Sequence, residues 1–201
     1  PGKSKNIRTY SVGFEDSTDL KYAATVAEHL GTTHTPVIIT HHDALAAIPT
    51  VIGALESYDI TTVRASVGMY LLCKWIASNT EDKVIFSGEG ADELMCGYLY
   101  FHRAPDGKAA GNESMRLINA LHKYDVLRAD RCTASNGLEL RVPFLDGDFV
   151  DLSLSIGGDL RMPHVGGPPG ATGRMEKLLL RNAFADMLPT SVLWRRKEGM
   201  S

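Results

Sequence analysis

The stretch KVIFSGEGADE, Lys83 to Glu93, decides how this chain is read. Val84, Ile85 and Phe86 form a short apolar run of good β-formers, which the Ser87-Gly88 pair ends. Gly90 permits backbone dihedrals closed to other residues and lets a ligand approach backbone N–H groups. If a helix starts near Gly90, Asp92 and Glu93 fall on its first turn and Glu89 lies just ahead of it. The residues alone leave two readings of these three acids. They cap a helix and complement its dipole, or they share a metal ion with phosphate oxygens, since Mg²⁺ takes one or two carboxylates in such company.

Upstream, the same strand-then-helix rhythm repeats. Ile7 to Phe14 (IRTYSVGF) reads as a buried strand. The segment that follows reads as a helix, with Asp19 or a neighbour at its cap and Gly31 at its end. HTPVIIT is a second strand. His42 to Glu56 is a second helix, with Leu45, Ile48, Ile52 and Leu55 at helical spacing, and Arg64 to Ser78 is a third. This alternation predicts an α/β fold, a doubly wound parallel sheet. Ligands bind such sheets beyond the carboxyl ends of the strands. The Val12–Asp19 turn, the loop leading to Arg64 and Ser87–Glu93 are the segments expected there.

The second half has a different texture. ESMRLINALHKYDVLRADRCTASNG is predicted to be one long amphipathic helix closed by Gly137. The stretch around Pro143 is predicted to be extended and to turn helical after Asp146. PHVGGPPGATG reads as a loop, and RMEKLLLRNAFADML as a helix ended by Pro189. The expected organisation is a nucleotide-binding α/β part, residues 1–108, and a helical part, residues 109–201.

Composition bounds the function. The 201 residues carry 21 Lys and Arg against 24 Asp and Glu, a net charge of -3, so no basic field points to nucleic acid or an anionic membrane surface. No apolar run approaches the ~20 residues of a membrane-spanning helix. Three cysteines without a C-x-x-C spacing fit free thiols in a reducing, cytoplasmic setting.

Other candidates are ambiguous alone. Arg64, behind Thr61 and Thr62, is either an exposed arginine at a helix start or a bidentate partner for a carboxylate or phosphate. The run WRRKE, which carries Lys197, is either a solvated face or a phosphate clamp. His41, His42 and His102 have no partners at metal-ligand spacing, and the cysteines have no local activator.

Taken together, YSVGF, YDITTVRAS, SGEGADE with GYLYFHRAP, LRADR with GLELRVPFLD, and LWRRKE resemble the synthetase domain of glutamine-dependent asparagine synthetases, in that family's order. The resemblance implies an ATP-pyrophosphatase (adenine nucleotide alpha hydrolase-like) fold, a doubly wound sheet with a helical C-terminal extension. It implies adenylation of the aspartate side chain with ATP and Mg²⁺, release of pyrophosphate, and attack by ammonia from a glutaminase domain. Carried onto this sequence, Val12 would meet the adenine through its backbone and Asp19 would lie near the ribose or the acyl-adenylate intermediate. Ser87 and Gly88 would complete the nucleotide pocket. Glu89 would serve formation and breakdown of the acyl-adenylate. Asp92, assisted by Glu93, would bind Mg²⁺–pyrophosphate, and Arg64 and Lys197 would offset phosphate charge.

The family's S-G-G-x-D-S pyrophosphate loop and its glutaminase domain are not among these residues. The expectation is therefore a fragment of a longer parent, inactive in isolation, whose parent is a ligase with a homodimer as one assembly. A related amide- or lactam-forming synthetase and a non-catalytic nucleotide-binding homologue are the alternatives.

Overall fold

A computed structural model describes residues 7–166 and 173–197. Its first half runs β1 (Arg8–Gly13), α1 (Thr18–Leu30), β2 (Thr33–Ile38), α2 (His41–Leu55), α3 (Ile60–Asn79), β3 (Val84–Phe86) and α4 (Ala91–Leu94). It continues with α5 (Gly107–Ala120), α6 (Asp125–Ala134), β4 (Glu139–Arg141), α7 (Gly147–Ser155) and α8 (Gly158–Arg161). β5 (His164–Val165), β6 (Arg174–Met175), α9 (Leu178–Ala183) and α10 (Thr190–Leu193) follow. Two compact units emerge. One holds the residues up to Ile85 together with Tyr124–Arg141, and the other holds Phe86–Lys123 and Val142–Lys197. The units are thus interleaved along the chain rather than divided once near residue 108.

In the first unit, β1 and β2 pair in parallel from Arg8 opposite Thr33 to Gly13 opposite Ile38. The connection is α1, which ends where Gly31 turns left-handed at φ 70°. There the Thr32 and Gly31 N–H groups bond back to the Ala27 and Glu28 carbonyls at 3.0 and 3.2 Å, satisfying acceptors that the helix end would orphan. α2 opens with a capping box. The Asp43 N–H donates to the Thr40 hydroxyl at 3.1 Å and the Thr40 N–H to the Asp43 carboxylate at 2.9 Å. α2, α3 and α6 bury Val51, Leu55, Val67, Ile76 and Cys132 in one apolar cluster.

The expected alternation of strands and helices is present in the first unit, and among the described residues the strands pair two by two: β1 with β2, β3 with β4, and β5 with β6. Several expectations need correction. The helix expected at Arg64 begins at Ile60, because the Asp59 carboxylate accepts from the Thr62 N–H at 2.8 Å and caps it there. The single helix expected up to Gly137 is broken. α5 tightens into a 3-10 turn at Leu121–Lys123, and Tyr124, at φ -127° and ψ -103°, leaves helical space before α6. The last helix is likewise shorter than RMEKLLLRNAFADML, since Arg174–Met175 is a strand and Lys177 turns left-handed. The expected Gly/Pro loop is spanned by the antiparallel β5–β6 pair, and its residues 167–172 lie outside the described residues.

The second unit has its own small core, in which Cys96, Phe101, Ala110 and Met162 pack together. Arg161 is 3% exposed beneath α4. It donates to the Leu94 carbonyl at 2.6 Å and the Ile156 carbonyl at 3.0 Å. Leaving those carbonyls without a donor in a buried site costs about 1–3 kcal/mol each, so Arg161 fastens the short helix that carries Asp92.

His34 supplies a pH signature for the first unit. Its Nδ1 lies 3.0 Å from the Thr9 hydroxyl and its Nε2 3.1 Å from the Ser11 hydroxyl, across the β1–β2 pair. Burial pushes its pKa below the usual value, with a hydrogen bond to the Thr9 backbone opposing. A folded pKa below the unfolded one means that the unfolded chain binds the proton more readily. This contribution is therefore complete above about pH 6.5 and is lost as the pH falls through the folded value. Urea denaturation of wild type and His34→Gln across pH 5–8 is expected to show a steeper loss of stability in wild type below pH 6.5. Parallel curves would contradict it.

Candidate functional site

The first unit contains a cavity of about 750 Å³. Val12 and Gly13 at the end of β1, Asp19 in the first turn of α1, and Arg64 one turn into α3 all line it. Three of the residues singled out from sequence, Val12, Asp19 and Arg64, therefore share one wall system. Most of the remaining lining is aliphatic, from Ile39, Leu45, Ile48 and Ile52. A cavity of that size and character suits a flat apolar body with a few polar anchors.

The sequence reading missed Arg128, which also lines this cavity. It is 7% exposed and its guanidinium meets the Asp125 carboxylate at 2.5 Å. The signal was present in DVLR, where Asp125 and Arg128 stand three apart on α6, but it looked like an ordinary helix-surface pair.

The opening loop lies in the second unit. β3 ends at Phe86, Ser87 is half-buried, Gly88 is exposed, and Gly90 adopts φ 94° ahead of α4. A Cβ on Gly90 would fall 2.7 Å from Leu145 Cγ, so both the dihedral and the space require glycine. The turn leaves Asp92 half-buried and Glu93 only 3% exposed. The Tyr98 hydroxyl donates to the Glu93 carboxylate. Glu89 is half-buried and is engaged in an interaction of its own.

Asp92 is the centre of charge. Its Oδ1 meets the Lys197 ammonium at 2.7 Å and the Lys177 ammonium at 3.2 Å. The Asp92 side chain is 27% exposed, and those of Lys177 and Lys197 are 22% and 23% exposed. Burial alone would raise the Asp92 carboxyl pKa, but the two ammoniums, Lys177 first, reverse that and hold it below the usual carboxylate value. Lys197 Nζ also sits 5.5 Å from the centre of the Tyr98 ring. The structure thus brings Asp92 and Lys197 together and adds Lys177. Nothing in EKLLL marks Lys177 as a site residue; its left-handed backbone, φ 54°, is visible only in the structure.

Gly97 makes this arrangement possible. Its N–H donates to the Asp92 carbonyl at 2.8 Å. A Cβ there would stand 2.9 Å from Asp92 Cγ and 3.0 Å from Asp92 Cα. The carboxylate occupies the space that any other residue would fill.

The remaining candidates are structural. Cys73, Cys96 and Cys132 are free and buried, and burial pushes the Cys73 and Cys132 thiols up to about 12 and about 11. Thiols held protonated in this way are not nucleophiles. His41 stacks on Phe14, with ring centres 4.2 Å apart. Among the described residues no cluster of three or more His, Cys, Asp and Glu could hold a metal ion, and no helix is long and apolar enough to cross a membrane.

The first unit thus holds a largely aliphatic cavity with a few polar side chains, and the second a carboxylate clamped by two lysines. The chain belongs to the asparagine synthase family, whose model matches residues 2–116 and 105–201. It is 50% identical over 197 residues to the glutamine-hydrolyzing asparagine synthetase of Homo sapiens, 51% to that of Mus musculus and 50% to that of Gallus gallus. Each match covers 97% of this chain and 34% of the relative, so the chain spans about a third of those proteins.

Gly97→Ala is expected to destabilise the protein by about 1–3 kcal/mol in urea denaturation. Adding Asp92→Ala should restore only part of this loss, because the close approach to the Asp92 backbone remains. A neutral Gly97→Ala would contradict the packing argument.

Proposed function

We propose that the protein carrying this chain makes asparagine from aspartate, ATP and ammonia derived from glutamine. The single observation that carries the reading is the Asp92–Lys177–Lys197 cluster, set in a family member beside the Ser87–Glu93 turn. The aspartate side-chain carboxylate would attack the α-phosphorus of ATP, forming β-aspartyl-AMP and expelling pyrophosphate. Ammonia would then attack the acyl carbon, giving asparagine and AMP.

Each residue has a task that this chemistry requires. Pyrophosphate leaves with concentrated negative charge, and the ammoniums of Lys177 and Lys197 would offset it where it develops. Arg64, in the first unit, would offset phosphate charge through a planar fork suited to it. The backbone of Val12 and the carboxylate of Asp19, both lining the cavity of the first unit, would hold the adenosine portion. Ser87 and Gly88 would contact the nucleotide through a hydroxyl and a side-chain-free backbone. An attacking amine must lose a proton, and Glu89 would accept it.

The donor set also fits Mg²⁺, but only in company. Both lysines bind Oδ1 of Asp92, and Mg²⁺ takes one or two carboxylates together with phosphate oxygens. Asp92 would hold the ion, and Glu93, fixed by Tyr98, would back it. When bound, the ion would neutralise pyrophosphate charge.

The finer fold belongs to this reading. The parallel β1–β2 pair and the alternation of strands with helices in the first unit support an ATP-pyrophosphatase sheet. A cytoplasmic location and a homodimeric assembly belong to it as well.

Aspartate-dependent exchange of labelled pyrophosphate into ATP, followed by asparagine formation, tests the reading. Glu89→Ala is expected to lower asparagine formation by at least about 100-fold, the scale of a lost general base, while glutamine hydrolysis continues. Unchanged synthesis would remove Glu89 from the mechanism, and absence of aspartate-dependent exchange in the wild-type protein would overturn the function.

A further inference from the structure

Lys177 and Lys197 reach Asp92 from two separate segments, and one side chain touches the approach to both. Arg181, on α9, is 12% exposed at its side chain. Its NH2 group meets Glu176 Oε1 at 2.9 Å, and its Nε donates to the Glu176 carbonyl at 2.9 Å. Its NH1 group donates to the Leu193 carbonyl and, at 3.3 Å, to the Arg195 carbonyl. Glu176 immediately precedes Lys177, and Arg195 stands two residues before Lys197. The guanidinium therefore ties the root of one lysine to the root of the other.

The partners are themselves held tightly. Glu176 is 4% exposed, and its second carboxylate oxygen faces His102 Nε2 at 3.6 Å. Lys177 pays for its position with a left-handed backbone, φ 54°. Such a conformation persists in a residue other than glycine only where its surroundings over-determine it. A planar fork with five donors in fixed directions can fix two strands of backbone at once, which a lysine ammonium cannot do.

We propose that Arg181 is a positioning residue that sets the placement of Lys177 and Lys197 about Asp92. It touches no substrate; it acts through the two lysines. Its consequence for pyrophosphate binding rests on the function proposed above, whereas its consequence for the lysines does not.

The test uses Arg181→Gln and Arg181→Lys in the protein carrying this chain, with two readouts. The first is the side-chain ammonium NMR signals of Lys177 and Lys197, which a salt-bridged, slowly exchanging ammonium displays. These signals are expected in wild type, lost in Arg181→Gln, and only partly recovered in Arg181→Lys. The second is calorimetric affinity for magnesium pyrophosphate, expected to fall about tenfold in Arg181→Gln, the scale of one charge-assisted contact. Lower thermal stability with unchanged ammonium signals and unchanged affinity would make Arg181 a plain structural staple and overturn the inference. If wild type binds no magnesium pyrophosphate, the function fails while the ammonium signals still decide the positioning role. If Arg181→Gln does not fold, Glu176→Gln, which keeps size and removes the ion pair, is expected to disturb the same signals. Wild-type signals in that variant would overturn the inference.

Discussion

The second unit is organised around one carboxylate oxygen shared by two ammoniums. Lys197 stands 105 residues from Asp92 in sequence and meets it at 2.7 Å, with Lys177 on the same oxygen at 3.2 Å. Ion pairs with some solvent contact typically contribute only about 0–1 kcal/mol to stability. The surrounding structure costs more than that to maintain, since it includes a left-handed lysine and two glycines that admit no side chain. Stability is therefore a poor explanation for the cluster. Counted at Asp92 alone, two cations face one anion.

Everything nearby serves that arrangement. Gly90 bends the chain out of β3, Gly97 leaves room for the Asp92 carboxylate, and Arg161 fastens the end of α4 from below. Arg181 does the same for the lysines. A buried Arg161 and a half-buried Arg181, bonded largely to backbone carbonyls, are a costly way to fold, because each guanidinium gives up solvation. They yield fixed positions for the segments that carry Asp92, Lys177 and Lys197.

Much of this was legible in the sequence, and the exceptions have physical causes. The first strand, the Gly31 stop and the second helix could be read because their signals are local: a run of β-formers, a glycine at a helix end, and apolar residues at helical spacing. Arg64 was misplaced by a turn because Asp59, a competent cap, lies five residues before the point at which the helix was expected to start. The break at Tyr124 was invisible because no Gly or Pro marks it and the apolar spacing continues through it. Asp92 and Lys197 were found through their motifs. Lys177 and Arg181 were not, because their importance comes from contacts across many residues and from a backbone angle that no local pattern encodes.

The central claim is that the lysine-clamped Asp92 receives the pyrophosphate formed from ATP. A crystal structure of the protein carrying this chain, grown with magnesium pyrophosphate, tests it most directly. The account predicts pyrophosphate oxygens within hydrogen-bond distance of Lys177 and Lys197, with the cation on Asp92. Pyrophosphate bound elsewhere, with both lysines still paired to Asp92, would contradict it.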